Sequence, residues 1–357
     1  MTDTTVAIIG AGIAGLHAAR LLHRAGVDFK LFEARDRVGG RILTVDELGG
    51  WAEDGFDLGP SWFWPQMHPV MGELIDELVL PFFQQHSTGD MVFERTSREI
   101  PQRVNRFAQE PSSMRLTGGT AALLRALMRD LPLERLHFGT PVTALRLMGE
   151  SVEITASDRT TTASHVIAAL PPRLFAEKVT LHPSPAQRDL NRWQGTATWM
   201  APHAKIFALY DRPFWRDAGL SGMAQSMVGP LVEIHDATTA SGKAALFGFV
   251  GAPAANRAAL GEEALIHAAI QQLIRLFGPE AGSPRATLIK DWAKEPWTAT
   301  NADAVPSAHP AALVGEWVTG QWQGRLFMAG SEASPSDPGY LAGAIEASQI
   351  AVMSIFG

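Results

Sequence analysis

The chain contains no cysteine. That absence excludes disulfides, thiolate nucleophiles, iron–sulfur clusters, cysteine-ligated zinc and any prosthetic group tethered through sulfur. It agrees with a reducing compartment, and a cytoplasmic location is the expectation. Basic runs are missing as well. Charged residues make up 19% of the chain and the net charge is −7, so neither a nucleic-acid face nor a basic membrane-surface helix is expected. The longest nearly apolar stretch, residues 244–255, falls well short of the ~20 residues a membrane helix needs.

Other signatures are lacking too. The N-terminal MTDTT has no cationic region ahead of the apolar run Val6 to Ile9, so it reads as mature sequence, and no hydrophobic tail precedes Gly357. The eleven histidines include no HExxH and no cluster, which predicts no metal site. No G-x-S-x-G presents a serine nucleophile. Ser241-Gly242-Lys243-Ala244 has part of a phosphate-binding loop, but alanines stand at its first glycine (Ala237) and at its Ser/Thr (Ala244).

What is present starts at the beginning of the chain. With 357 residues, 46% of them hydrophobic, the sequence can bury the cores of about two ordinary domains. Val6 to Ile9 reads as a buried strand. Residues 13–25 have helical apolar spacing ended by Gly26, and Phe29 to Phe32 is a second strand leading into Glu33. This is a βαβ opening. Between its first strand and helix lie Gly10-Ala11-Gly12-Ile13-Ala14-Gly15. A dinucleotide pyrophosphate sits against backbone N–H groups at a helix N-terminus, which demands residues without side chains at the approach. Gly10 makes the tight turn, Gly12 admits the phosphates, and Gly15 lets helix and strand pack closely. Glu33 stands where a carboxylate accepts hydrogen bonds from adenosine ribose hydroxyls and repels a 2′-phosphate.

Further on, residues 51–65 read as a Gly/Trp/Pro-rich loop and 70–80 as a helix, while 87–115 carry no clear period. Thr117-Gly118-Gly119-Thr120 opens another helix. Strands are expected at 142–147, 152–156, 165–170, 204–210, 231–235, 244–250 and 326–329. Helices are expected at 262–277 and from about Tyr340.

After Glu33 comes Ala34-Arg35-Asp36-Arg37-Val38-Gly39-Gly40-Arg41-Ile42. The run EARDRVGGRI resembles the flavin-containing amine oxidase family, which includes monoamine, polyamine and L-amino-acid oxidases. The resemblance continues through Asp57-Leu58-Gly59-Pro60, Thr117-Gly118-Gly119, Thr140-Pro141-Val142 and VIAALPP at 166–172. It ends in RLFMAGSEASPSDPGYLAGAI at 325–345, where Gly330, Glu332, Gly339 and Tyr340 fall on the closing signature and Ser331 replaces its usual threonine. It implies non-covalent FAD held by Gly10, Gly12, Ile13, Ala14, Gly15, Glu33, Ala34, Arg35, Gly40, Arg41, Gly59, Pro60, Val142, Gly330, Glu332, Tyr340 and Leu341. Arg41 would neutralise the pyrophosphate or lie beside the flavin, and the Val142 backbone would touch adenine.

Lys205, in AKIFALYDRPFW at 204–215, is similar to the family lysine that precedes Pro-Phe-Trp and holds a water near flavin N5. The alternative is an ordinary exposed lysine on an edge strand. Trp292 and Trp297 resemble the family's tryptophan approach to the flavin. Of the family's two cage aromatics, Tyr340 supplies one, but Ala302 stands at the other. Trp62 or Trp64 could fill that gap as substrate-binding residues, or could be core aromatics.

The resemblance implies an α/β fold in which a Rossmann-like FAD-binding domain (1–60, 116–175 and 296–357) is interleaved with a smaller mixed α+β substrate domain (61–115 and 176–295). The chemistry it implies is amine oxidation. A small neutral amine gives a hydride to N5, the imine is hydrolysed, and oxygen or another acceptor takes the electrons, with Lys205, Tyr340 and Trp297 as catalytic candidates. A desaturase-like dehydrogenase acting on carbon–carbon bonds shares EARxRxGGR, and a flavin-binding protein without turnover fits the gap at Ala302. Lys205 with Pro213-Phe214-Trp215 leans towards amines.

Overall fold

The computed structural model describes residues 3–105, 111–305 and 308–356. Its opening βαβ unit forms where local signals agree. The strand Thr4–Ile9 is apolar and buried along most of its length, as a central parallel strand covered on both faces must be. Gly10, at φ 101°, turns the chain into the helix Ile13–Arg24, and Gly26, at φ 70°, lets it leave. The strand Phe29–Phe32 then lies parallel to the first, with Lys30 opposite Ala7.

The first sheet runs in the order Thr180–His182, Val142–Met148, Ser151–Ala156, Arg159–Ala168, Thr4–Ile9, Phe29–Phe32, Leu136–His137. One edge of Arg159–Ala168 is shared. Its first half pairs antiparallel with Ser151–Ala156 and its second half parallel with Leu326–Met328. Five parallel strands from distant parts of the chain, Leu136–His137, Phe29–Phe32, Thr4–Ile9, Arg159–Ala168 and Leu326–Met328, therefore end at one rim. In open α/β sheets that rim is where ligands bind. The helices Ile13–Arg24, Pro69–Glu77, Ala121–Met128 and Leu341–Phe356 contribute to one core, and Phe175, Trp193 and Trp322 to a second.

The second sheet runs Ala286–Asp291, Ala204–Tyr210, Ala244–Val250, Leu231–Asp236, Leu220–Ser226, Asp90–Glu94, Gln102–Val104. One face packs on the helix Glu262–Phe277. The other carries Phe207, Leu209 and Phe247 against Val45, Phe56 and Leu58, which seats this sheet over the rim of the first. The fold is α/β, with a Rossmann-like unit and a mixed second unit. Among the described residues no helix is long and apolar enough to cross a membrane.

Several elements differ from the sequence reading. The region 87–115 holds three strands, Asp90–Glu94, Gln102–Val104 and Met114–Leu116. Their period is masked because Gln102–Val104 is an exposed edge strand; residues 106–110 of that region lie outside the described part. Leu220–Ser226 was not legible because its buried positions include Ser221, Gly222 and Ser226, with Gly222 at φ 78° inside a register shift. After the expected strand at 165–170, Pro172 is the first residue of a helix, Pro172–Lys178, where its missing N–H removes no intrahelical bond. The strand Thr180–His182 carries the first sheet past residue 175.

Candidate active site

A cavity of about 370 Å³ runs along the rim. At one end it is lined by Phe32, Glu33, Ala34, Arg35, Pro141 and Val142. Glu33 is buried where its strand ends. Its Oε2 accepts the Ala11 N–H at 2.7 Å and its Oε1 the Arg35 N–H at 2.9 Å. Each carboxylate oxygen has a second lone pair, so the group is fixed and still able to accept from a ligand. Arg35 is held by Glu295 at 3.1 Å and by the Thr298 hydroxyl at 2.8 Å.

In the middle, Gly10, Gly12, Ile13 and Ala14 line the cavity where first-turn N–H groups have no intrahelical acceptor. A Cβ at Gly12 would meet no protein atom within 4 Å, so this position faces open space. A Cβ at Gly15 would lie 1.9 Å from the Gly10 carbonyl oxygen, so Gly15 serves the helix–strand packing and does not line the cavity. Gly330 is equally constrained, with a Cβ 2.3 Å from the Leu170 carbonyl oxygen.

Arg41 lines the same stretch, and its charge is already matched. It forms a two-pronged pair with Glu332, at 2.6 and 3.1 Å, and also donates to the Ser331 hydroxyl and the Trp199 carbonyl. Glu332 is buried behind the lining. Burial alone would raise its carboxyl, but the Arg41 guanidinium and its hydrogen bonds prevail and hold it below the usual range.

The far end is aromatic. Trp62, Trp64, Trp199, Phe249, Trp292 and Tyr340 line it, with Met200, His203, Gly59, Pro60, Ser61 and Lys205. Lys205 sits in the interior of the second sheet, between Ala244–Val250 and Ala286–Asp291, and is 4% exposed. That position rules out an exposed edge lysine. Its Nζ donates to the Gly59 carbonyl at 2.6 Å, the Ser61 hydroxyl at 3.0 Å and the Asp57 carbonyl at 3.3 Å. Phe247 and Phe249 face it at 4.6 and 5.2 Å. Burial pushes its pKa down from 10.5 to about 7, against the pull of the Asp57 carboxylate and with the push of Arg115.

Tyr340 packs edge-on against Trp64, with ring centroids 6.2 Å apart, and contacts His68 and His309 at 5.1 and 4.8 Å. Ala302 is exposed and outside the cavity lining. Trp64, held by the Ser113 hydroxyl, is the aromatic that meets Tyr340; Trp62 is held by Gln85 and packs on Phe247. Of the residues expected from sequence to bind cofactor or substrate or to act in catalysis, all but Gly15 and Glu332 line this cavity. Sequence reasoning passed over Ser61, Trp199, Met200, His203 and Phe249. Ser61 and Trp62 share the loop with Pro60, a usable signal. Trp199 and His203 shortly precede Lys205 in sequence but carry no period of their own.

The parts match FAD: a fixed carboxylate with spare lone pairs at one end, an open glycine cradle at a helix N-terminus, and an apolar aromatic chamber at the other. The profile of the family described as "Flavin containing amine oxidoreductase" matches residues 13–115 and 94–355. The chain belongs to this family. It is an FAD-dependent amine oxidoreductase, and with no cysteine it cannot hold FAD through a thioether. It is 26% identical to a putative flavin-containing monoamine oxidase of Mycobacterium tuberculosis, over 98% of this chain and 96% of that protein. It is 24% identical to a putrescine oxidase of Kocuria rosea, over 83% of each. In fold it is similar to a cyclohexylamine oxidase of Brevibacterium oxydans, with a TM-score of 0.81, 20% identity, and 99% of this chain and 98% of that one covered. Its substrates are small-molecule amines.

Proposed function

We propose that the enzyme oxidises apolar primary monoamines, with oxygen as electron acceptor. The observation that carries this is the charge inventory of the cavity. Glu33 is the only carboxylate among its described lining residues, and it lies at the adenosine end. A second ammonium, as in a diamine, would enter the aromatic chamber without a counter-charge, which costs several kcal/mol. An amino-acid carboxylate fares no better, because the Arg41 charge is matched by Glu332. An uncharged substituent fits walls made of tryptophan, phenylalanine and tyrosine.

Bound FAD supplies the hydride acceptor. The chain supplies the rest. Trp62, Trp64 and Tyr340 hold the substrate and exclude water, which strengthens every polar contact inside. Lys205 and the loop from Gly59 to Ser61 offer the polar groups nearest the chamber, where the incoming ammonium must lose a proton before it can react. Trp297 closes the side beside Thr298 and Arg35. We also propose the division into a cofactor domain (1–60, 116–175 and 296–357) and a substrate domain (61–115 and 176–295). The packing of Trp193 and of Thr180–His182 on the first sheet supports moving its middle boundary towards residue 195. A cytoplasmic location fits the cysteine-free composition.

A steady-state panel tests the substrate class. Benzylamine should exceed putrescine and L-leucine in kcat/KM by at least about 100-fold, the equivalent of roughly 3 kcal/mol. A preference for the diamine or the amino acid would refute it.

A further inference from the structure

We infer that Ser61 is the proton relay of this site, taking a proton from the substrate ammonium as it passes its own hydroxyl proton to Lys205. The inference rests on the amine-oxidising reading above and adds a named path to it.

The geometry is specific. Lys205 Nζ has three oxygen neighbours: the Gly59 carbonyl at 2.6 Å, the Asp57 carbonyl at 3.3 Å and the Ser61 hydroxyl at 3.0 Å. A neutral amine has two N–H donors and one lone pair. Two carbonyls can only accept, so they take the two donors, and the lone pair is left for the one neighbour that can donate, Ser61. An ammonium has three donors and no lone pair, and then Ser61 must accept. The Ser61 hydroxyl, whose other contact is the Asp57 carbonyl at 3.4 Å, therefore donates to that carbonyl while it accepts from the ammonium and turns to Nζ when Lys205 is neutral. Ser61 is 6% exposed and lines the cavity, and so does Lys205.

When Lys205 is neutral, the Ser61 proton points to Nζ and the oxygen lone pairs are free for a donor in the chamber. An ammonium placed there breaks one N–H bond and forms O–H at Ser61. The former Ser61 O–H breaks and N–H forms at Lys205. The products are a neutral amine, an intact hydroxyl and a lysine ammonium, so charge and protons balance. Burial holds Lys205 to a pKa of about 7, which makes it a competent acceptor near neutral pH.

The charged and titratable groups around Lys205 are fixed by other partners. Asp57 accepts from Thr44 and from the Thr120 N–H, and Arg115 donates to the Ala237 and Thr238 carbonyls. Lys290, directly opposite Lys205 in register, is paired with Glu295. Two strands away, beyond Ala244–Val250, His235 stacks on Phe247 and pairs with Glu233. Ser61 is the hydroxyl hydrogen-bonded to Nζ.

The test uses the FAD-loaded enzyme and two readouts. Anaerobic rapid mixing with benzylamine across pH should give a wild-type reduction rate that falls below an ionisation near 7. Ser61→Ala should lose that ionisation and reduce at least 10-fold more slowly above pH 7, while Ser61→Thr, which keeps the hydroxyl, should retain both within threefold. In parallel, lysine side-chain NMR follows Nζ titration without substrate. The chain has six lysines, and Lys205→Met identifies the signal. Ser61→Ala should lower the Lys205 midpoint by half a pH unit or more on the order of a lost charge-assisted hydrogen bond, and Ser61→Thr should restore it. A wild-type flavin that no amine reduces overturns the functional reading and the relay with it. A wild type that is reduced, beside a Ser61→Ala variant with an unchanged profile or an unmoved midpoint, overturns the relay alone.

Discussion

Replacing Lys205 with methionine should abolish a pH dependence of stability that the buried amine imposes. Folding moves this amine from water to a site 4% exposed, and its pKa falls from 10.5 to about 7. Between those values the unfolded chain holds one more proton than the folded protein, so stability rises with pH. The contribution is fully present above the unfolded value and is lost as pH falls to about 7, below which it is flat. Each pH unit inside the window changes stability by about 1.4 kcal/mol, and the whole window by about 5 kcal/mol. From pH 7.5 to 9.5 the wild type should therefore gain about 3 kcal/mol relative to Lys205→Met. The variant also strands the Gly59 and Asp57 carbonyls, but that cost is the same at every pH and cancels. Urea unfolding of both proteins at several pH values, in the same excess of FAD, measures the difference. Parallel pH profiles would refute the claim that folding disfavours the charged lysine.

Further consequences follow from other residues. Glu33→Ala removes the carboxylate expected to accept from the ribose and unpairs the Ala11 and Arg35 N–H groups, so FAD affinity should drop about 10- to 100-fold, on the order of 1–3 kcal/mol; flavin fluorescence titration measures it. Arg41→Met leaves Glu332 buried without its partner and should cost about 3–5 kcal/mol of stability, part of which a second change, Glu332→Leu, recovers. Acid precipitation should release all of the FAD into the supernatant, and yellow colour left in the pellet would contradict non-covalent binding.

Much of this architecture was readable because it rests on local rules. The glycines from Gly10 to Gly15 announce a turn, a cradle and a close helix, and the helix Glu262–Phe277 shows its apolar period openly. The carboxylate at Glu33 follows from where its strand must end. What stayed hidden depends on contacts between distant segments. Ser61 and Lys205 are 144 residues apart, and nothing in either neighbourhood reveals that one would cap the other. The pairing of Arg41 with Glu332 spans 291 residues, and nothing near either residue in sequence shows that the Arg41 charge is matched within the protein. Leu220–Ser226 was invisible for a different reason: its buried small and polar residues imitate a loop.

This chain uses FAD to take electrons from an amine. Anaerobic titration of the purified yellow protein with benzylamine tests it most directly. The flavin absorbance should bleach with one amine consumed per FAD, one benzaldehyde should form, and admitting air should restore the spectrum. A flavin that stays oxidised in excess benzylamine and in excess of every other amine tried, while still reducible by dithionite, would contradict it.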